Sequence, residues 1–216
     1  MKAFVSWSGG KDCMYAMYRF LQNEKDNEVA ALVNMCDTDG IMSRSHGLKR
    51  AWIERQARAM QTPLIQQPIE NSNYEQTLKK VMARLKKEGV NAGIFGDIYL
   101  QEHRTWIERV CNDMFIQAVF PLWGIDVQNM MQQFVDDGFQ SIVVSIRKDK
   151  LDTSFLGKKI DAVFIEKMKL LPDIDICGEN GEYHTYVFDG PLFHTPVVFT
   201  TDKITESKTH WFITLV

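Results

Sequence analysis

Ser8-Gly9-Gly10-Lys11-Asp12 is the stretch on which the reading of this chain turns. It follows a short apolar run over 2–7 and leads into a helical pattern from about 12 to 22, so it reads as strand, glycine turn, helix. Two adjacent glycines let the backbone turn sharply and approach a ligand with no Cβ in the way. The turn delivers free N–H groups at a helix N-terminus, where the peptide dipoles favour negative charge. Ser8 adds a hydroxyl and Lys11 a positive charge, while Asp12 implies a bridging cation or a role in orienting the lysine. The string is not a Walker A loop, which needs four residues between its glycines and Lys-Ser/Thr after the second. Nor is it Gly-x-Gly-x-x-Gly. A tight turn with glycines for geometry alone is the plain alternative.

Outward from the loop, strand and helix signals alternate. Residues 28–35 read as a second buried strand, 48–60 as a helix, and Leu64-Ile65 as a short strand between Pro63 and Pro68. In 73–87, Tyr74, Leu78, Val81, Met82 and Leu85 fall at helical spacing, and Gly89 follows the lysine-rich end. A fourth strand is expected over 92–96 and a helix over 102–114. Strands separated by helices of this length imply right-handed crossovers and an open parallel sheet with helices on both faces, an α/β fold. Such a sheet binds ligands at the carboxyl ends of its strands, where the loop at 8–12 lies.

After Pro121 the pattern changes to a helix near 126–137, a strand over 141–146 and a helix near 160–170. Two alternating runs, 195–200 and 210–216, suggest antiparallel strands. We expect two parts, 1–124 for nucleotide binding and 125–216, a smaller α+β unit, for substrate recognition.

Composition sets limits. With 45% hydrophobic and 25% charged residues the chain is globular rather than disordered. A net charge of −3 argues against a general nucleic-acid binder. No apolar run approaches the roughly 20 residues that span a bilayer. The start of the sequence enters a strand pattern without a signal-peptide h-region, which points to the cytoplasm. The four cysteines, Cys13, Cys36, Cys111 and Cys177, form no Cys-x-x-Cys pair, so zinc and redox motifs are unsupported and reduced thiols are expected.

Three further stretches concentrate polar groups. Ser45-His46-Gly47 follows the second strand. Gly96-Asp97-Ile98 ends the fourth, with Glu102, Arg104 and Arg109 beyond it. Cys177-Gly178-Glu179-Asn180-Gly181-Glu182-Tyr183-His184-Thr185 gathers carboxylates, a thiol, a phenol and an imidazole in nine residues, and Asp189-Gly190-Pro191-Leu192-Phe193 follows. Each has a dull alternative: Asp97 as a helix N-cap, His46 as an exposed loop histidine, the glutamates as a solvated turn. Trp123, Trp211 and Phe212 suit a core or an oligomer interface equally.

Ser8–Asp12 resembles the pyrophosphate loop of the PP-loop ATP pyrophosphatases, usually written S-G-G-x-D-S; Cys13 stands where that superfamily usually has serine. With Pro121-Leu122-Trp123 and the downstream block, the chain resembles the diphthine–ammonia ligase family in order and spacing over nearly its whole length. Asn180 replaces a glycine of that family's C-G-E-G-G-E. The resemblance implies a five-stranded nucleotide-binding sheet and an ATP-dependent amide-forming ligase. A carboxylate acceptor attacks the α-phosphorus, pyrophosphate leaves, and ammonia displaces AMP. It further implies that Ser8, Gly9, Gly10, Lys11, Asp12, Cys13 and Gly96 bind ATP. Lys11, Asp12 and Asp97 would be catalytic, Asp12 and Asp97 holding Mg²⁺. His46, Gly47, Arg104, Cys177, Gly178, Glu179, Gly181, Glu182 and Tyr183 would form the acceptor site. The acceptor implied is diphthine on elongation factor 2 where the source has it, otherwise a small molecule. A tRNA-modifying PP-loop enzyme and a non-catalytic ATP-binding regulator are the competing readings.

Overall fold

The structure, a computed structural model, describes residues 1–43, 46–70 and 73–216. Five strands, β1 (Lys2–Ser6), β2 (Glu28–Cys36), β3 (Leu64–Pro68), β4 (Ala92–Ile94) and β5 (Gln117–Val119), form one sheet in the order β3-β2-β1-β4-β5. Every neighbouring pair in it is parallel. The helices α1 (Lys11–Asn23), α2 (Arg50–Ala59), α3 (Tyr74–Lys87) and α4 (Gln101–Asp113) are the crossovers between its strands. Strand β1 shows why both faces are covered. Its side chains alternate: Ala3 and Val5 join the core that holds Met14, Tyr15 and Ile53 from α1 and α2. Phe4 joins the opposite core, with Leu78 and Val81 of α3 and Ile107 and Val110 of α4.

Among the described residues the remaining α-helices are α5 (Val127–Asp136) and α6 (Ala162–Lys169). Between and beyond them, β6 (Gln140–Arg147), β7 (Tyr183–Asp189), β8 (Thr201–Glu206) and β9 (His210–Leu215) make an antiparallel sheet in the order β7-β6-β9-β8. The first core cluster runs on without a break into this part through Phe134, Val143, Ile165, Tyr183 and Tyr186.

Three elements differ from the sequence reading. The alternating run over 195–200 is not a strand: its Val197 and Thr200 amides make single bonds to Phe188 and Val216, and the paired strand is β8, one step later. Pro196 has no N–H to give a ladder there. Strand β7 begins inside the polar block that reads as a loop, and β5 is only three residues long, too short for a periodicity signal. Among the described residues no helix is long and apolar enough to cross a membrane.

Candidate active site

Strand order reverses between β1 and β4: the chain leaves β1 toward β2 and β3 on one side and β4 toward β5 on the other. The loops leaving the carboxyl ends of these two strands therefore diverge and open a crevice. A cleft of about 280 Å³ lies there. Ser8, Asp12 and Cys13 form one wall, and Gly96, Asp97 and His103 another. Gly178, Glu179, Gly181 and His184 arrive from the C-terminal part, with His46 beside them. A second cavity of about 700 Å³ adjoins it, sharing Ser6, Tyr74, Asp97 and His103 and continuing to Leu78, Phe95, Trp106 and Ile107.

The loop at 8–12 owes its shape to its glycines and to β7. Gly9 has φ +86°, and a Cβ there would also lie 2.6 Å from Ile53 Cδ1. Helix α1 opens at Lys11 with Gly10 as its N-cap; the cap residue has no side chain to offer, and the first helical amide, that of Lys11, is taken by Thr185 of β7 instead. Strand β7 holds the loop from behind. Thr185 Oγ1 accepts from the Lys11 amide at 3.0 Å, and the Val187 amide donates to Gly9 O at 3.0 Å. Buried Gln56 completes the seat: its Nε2 donates to Gly9 O (3.0 Å) and Val187 O (2.7 Å), and its Oε1 accepts from Trp7 Nε1 (2.8 Å). Beyond the end of β4, Gly96 packs flat on the start of α1; a Cβ there would lie 2.7 Å from the Asp12 carbonyl carbon and 2.8 Å from the Cys13 nitrogen.

Lys11 does not line the cleft. It is buried beneath the loop, where Nζ donates to both Asp12 oxygens (2.8 and 2.9 Å) and to Cys177 O, 5.3 Å from the centroid of the Tyr183 ring. Burial opposes its charge, but the Asp12 carboxylate more than offsets this and the amine stays protonated. The Cys13 thiol donates to Gly10 O at 3.2 Å and lies 3.4 Å from Ser8 Oγ; burial pushes it up, so it is a thiol rather than a thiolate. His46 lies over Gly10 and stacks on His184 at 4.6 Å. Its Nδ1 is 2.9 Å from Thr185 O, which can only accept, so Nδ1 carries the hydrogen and Nε2 a lone pair. Burial lowers its pKa to about 4, and the ring is neutral.

Besides Asp12, the carboxylates of Asp97 and Glu179 line the cleft. Burial pushes Asp97 up; His103 Nδ1, 3.4 Å from its Oδ1, works against that. Glu179 Oε1 accepts from the Ile98 amide at 3.0 Å. Burial, with the Asp12 charge added, raises this carboxyl to about 7.

The remaining candidates divide. Cys177 and Tyr183 sit behind the cleft, Cys177 under Lys11 and Tyr183 donating to Ile176 O at 2.7 Å. Buried Glu182 accepts from the Asp175 amide at 3.1 Å and does not line the cleft. Arg104 lies off it, stacked on Phe120 and Trp123 (5.0 and 4.6 Å) and paired with Glu108 at 2.7 Å. Gly47 lines a different cavity, against Phe212. Ser45 lies outside the described residues. Sequence reasoning gives no site role to Tyr74, His103, His184, Gln56 or Asp175. For His184 a signal existed, its place in the polar block; Gln56 and Tyr74 look like ordinary helix residues until the fold brings them in.

Two family models match the chain: "Diphthamide synthase N-terminal domain" over residues 1–118 and "Diphthamide synthase C-terminal domain" over 126–215. A diphthine–ammonia ligase of Bos taurus is 24% identical, the match covering 94% of this chain and 85% of that one. One from Rattus norvegicus is 25% identical over 94% and 84%. One from Schizosaccharomyces pombe is 28% identical over 95% of this chain but 37% of its own length. Among solved structures, one titled as a predicted subunit of tRNA methyltransferase from Methanocaldococcus jannaschii overlaps 91% of this chain and 100% of its own, at TM-score 0.46 and 16% identity. That last likeness is too loose to argue from. Two models that together take in nearly all of both sheets place the chain in the diphthamide synthase family.

Proposed function

We propose that the protein is an AMP-forming carboxylate–ammonia ligase that works in the cleft between β1 and β4. The family supports an ATP-dependent ligase, and the relatives' names make diphthine the first acceptor to test. The observation that carries the reading is the glycine turn and first turn of α1, Ser8, Asp12 and Cys13, lining a polar cleft at the strand-order reversal.

In this reading the acceptor carboxylate oxygen attacks the α-phosphorus of ATP and the bond to pyrophosphate breaks. Ammonia then adds to the acyl carbon, and AMP leaves with the carboxylate oxygen. The N-terminus of α1 and Ser8 hold the departing pyrophosphate, whose charge grows in the transition state. Lys11 acts from beneath, lending its charge to the floor of the loop and fixing Asp12. The cavity of Tyr74, Leu78, Phe95 and Trp106 offers the base an apolar seat. His46, Gly178, Glu179 and Gly181 form the acceptor side.

Among the described residues no three His, Cys, Asp or Glu side chains converge to hold a metal. Mg²⁺ commonly rides on substrate phosphates with one or two carboxylates. Asp12 and Asp97, both on the cleft, would supply them, and the ion would offset phosphate charge.

The test is exchange of labelled pyrophosphate into ATP. Exchange that depends on acceptor, with diphthine-bearing elongation factor 2 as the first, supports adenylation. Nucleotide binding with no exchange under any carboxylate would favour a regulatory ATP-binding protein.

A further inference from the structure

Asp175 is a hub that the reaction scheme leaves unused. It stands in the turn between α6 and β7, and both of its oxygens are spoken for by donors. Oδ1 accepts from the Cys177 amide at 3.1 Å, and Oδ2 from the Glu179 amide at 3.1 Å. The Tyr99 hydroxyl donates to Oδ2, and the Cys177 thiol lies 3.2 Å from each oxygen. Burial opposes the charge of this carboxyl, but the hydrogen bonds from Tyr99 and Cys177 outweigh it and hold it below the usual range.

The turn so ordered touches both walls of the cleft. Cys177 O receives Lys11 Nζ, which grips Asp12, and Glu179 receives the amide of Ile98, next to Asp97. Tyr99 comes from the opposite side, just before α4, and Asn180 Nδ2 donates to its hydroxyl at 3.2 Å. Tyr99 and Asn180 are exposed, so this bridge lies at the surface, beside the cleft residues Gly178, Glu179 and Leu100.

We propose that Asp175, joined to Tyr99 of the segment that leads into α4, is a positioning residue that sets Glu179 and Lys11 in place for the ligase reaction. The proposal rests on the reading of the cleft given above. Its chemistry is specific. Every partner of this side chain is a donor, so an all-acceptor group is required there. Asparagine has the same size but turns one of the two acceptor oxygens into an NH₂ that meets donors.

The experiment compares the full-length wild type with Asp175→Asn and Tyr99→Phe. Hydrogen exchange follows the amides of Cys177, Glu179 and Ile98, and steady-state assays give kcat and KM for AMP formation. The expected result for Asp175→Asn is exchange at those amides about tenfold faster, core amides unchanged, and kcat lowered about tenfold with KM for ATP little moved. Tyr99→Phe should shift the same quantities less, since the bonds within the turn remain.

A general loss of core protection would show a merely structural residue and overturn the proposal. So would unchanged exchange at the three amides, or faster exchange with unaltered kcat. If the wild type forms no AMP with any acceptor, the reading of the cleft fails and takes this role with it. AMP formed equally by wild type and Asp175→Asn overturns the role alone.

Discussion

Glu179 and Lys11 show how burial gives single residues their character. The carboxyl of Glu179 is raised in the fold from its usual 4.5 to about 7, mainly by burial. A group raised in this way contributes stability that is full below 4.5 and lost as pH rises through 7. Glu179→Gln keeps an acceptor for Ile98 but has no charge to bury. The variant should therefore be more stable than wild type at pH 8 by about 2 kcal/mol, allowing for partial exposure, with the difference vanishing toward pH 5. Urea melts across that range read it directly, and a difference independent of pH would contradict the assignment. Lys11 is the opposite case, a buried cation held by Asp12 and a carbonyl. Lys11→Met leaves Asp12 without its partner and should cost about 3 kcal/mol in the same melts. A loss of under about 1 kcal/mol, the range of surface pairs, would show that the lysine is not committed to this contact.

At the scale of elements, the site depends on how closely α1 and the end of β4 approach. Gly96 permits that approach, and the atoms a methyl would strike there belong to backbone. Gly96→Ala must push α1 away, at a cost of about 1–3 kcal/mol. If the nucleotide sits at the N-terminus of α1, ATP affinity falls with it; calorimetric titration showing affinity unchanged would separate the two. This scale is also where the sequence was most and least legible. Ser8–Asp12 announces strand, turn and helix because glycine geometry and helix ends are local properties. Strands separated by helix-length stretches carry the two-faced parallel sheet. Strand β7 stayed hidden because its start lies in a run of glycines and glutamates, and its pairing to β6 is set by a distant strand. The outward position of Arg104 and the inward position of Lys11 were equally unreadable, since both follow from packing partners, Trp123 and Cys177, far along the chain.

Across the whole molecule, the loop at 8–12 belongs to both sheets. Thr185, Val187 and Gln56 hold it from the antiparallel side and from α2, while one core cluster runs through both parts. The two sheets should therefore unfold together. Far-UV circular dichroism and tryptophan fluorescence should give coincident transitions; two separated transitions would contradict a shared core. Gln56→Leu strands the Trp7 indole N–H and Val187 O, and should lower the common midpoint by the equivalent of about 1–3 kcal/mol without splitting it. This joint construction explains why the C-terminal polar block and the N-terminal loop, so far apart in sequence, share one cleft.

The central claim is that an acceptor carboxylate attacks the α-phosphorus of ATP in that cleft. The most direct test gives the protein ATP, ammonium and an acceptor labelled with heavy oxygen in its carboxylate, then locates the label by mass spectrometry. The account predicts one heavy oxygen in AMP, with unlabelled pyrophosphate. Label in inorganic phosphate, with ADP as the nucleotide product, would contradict it.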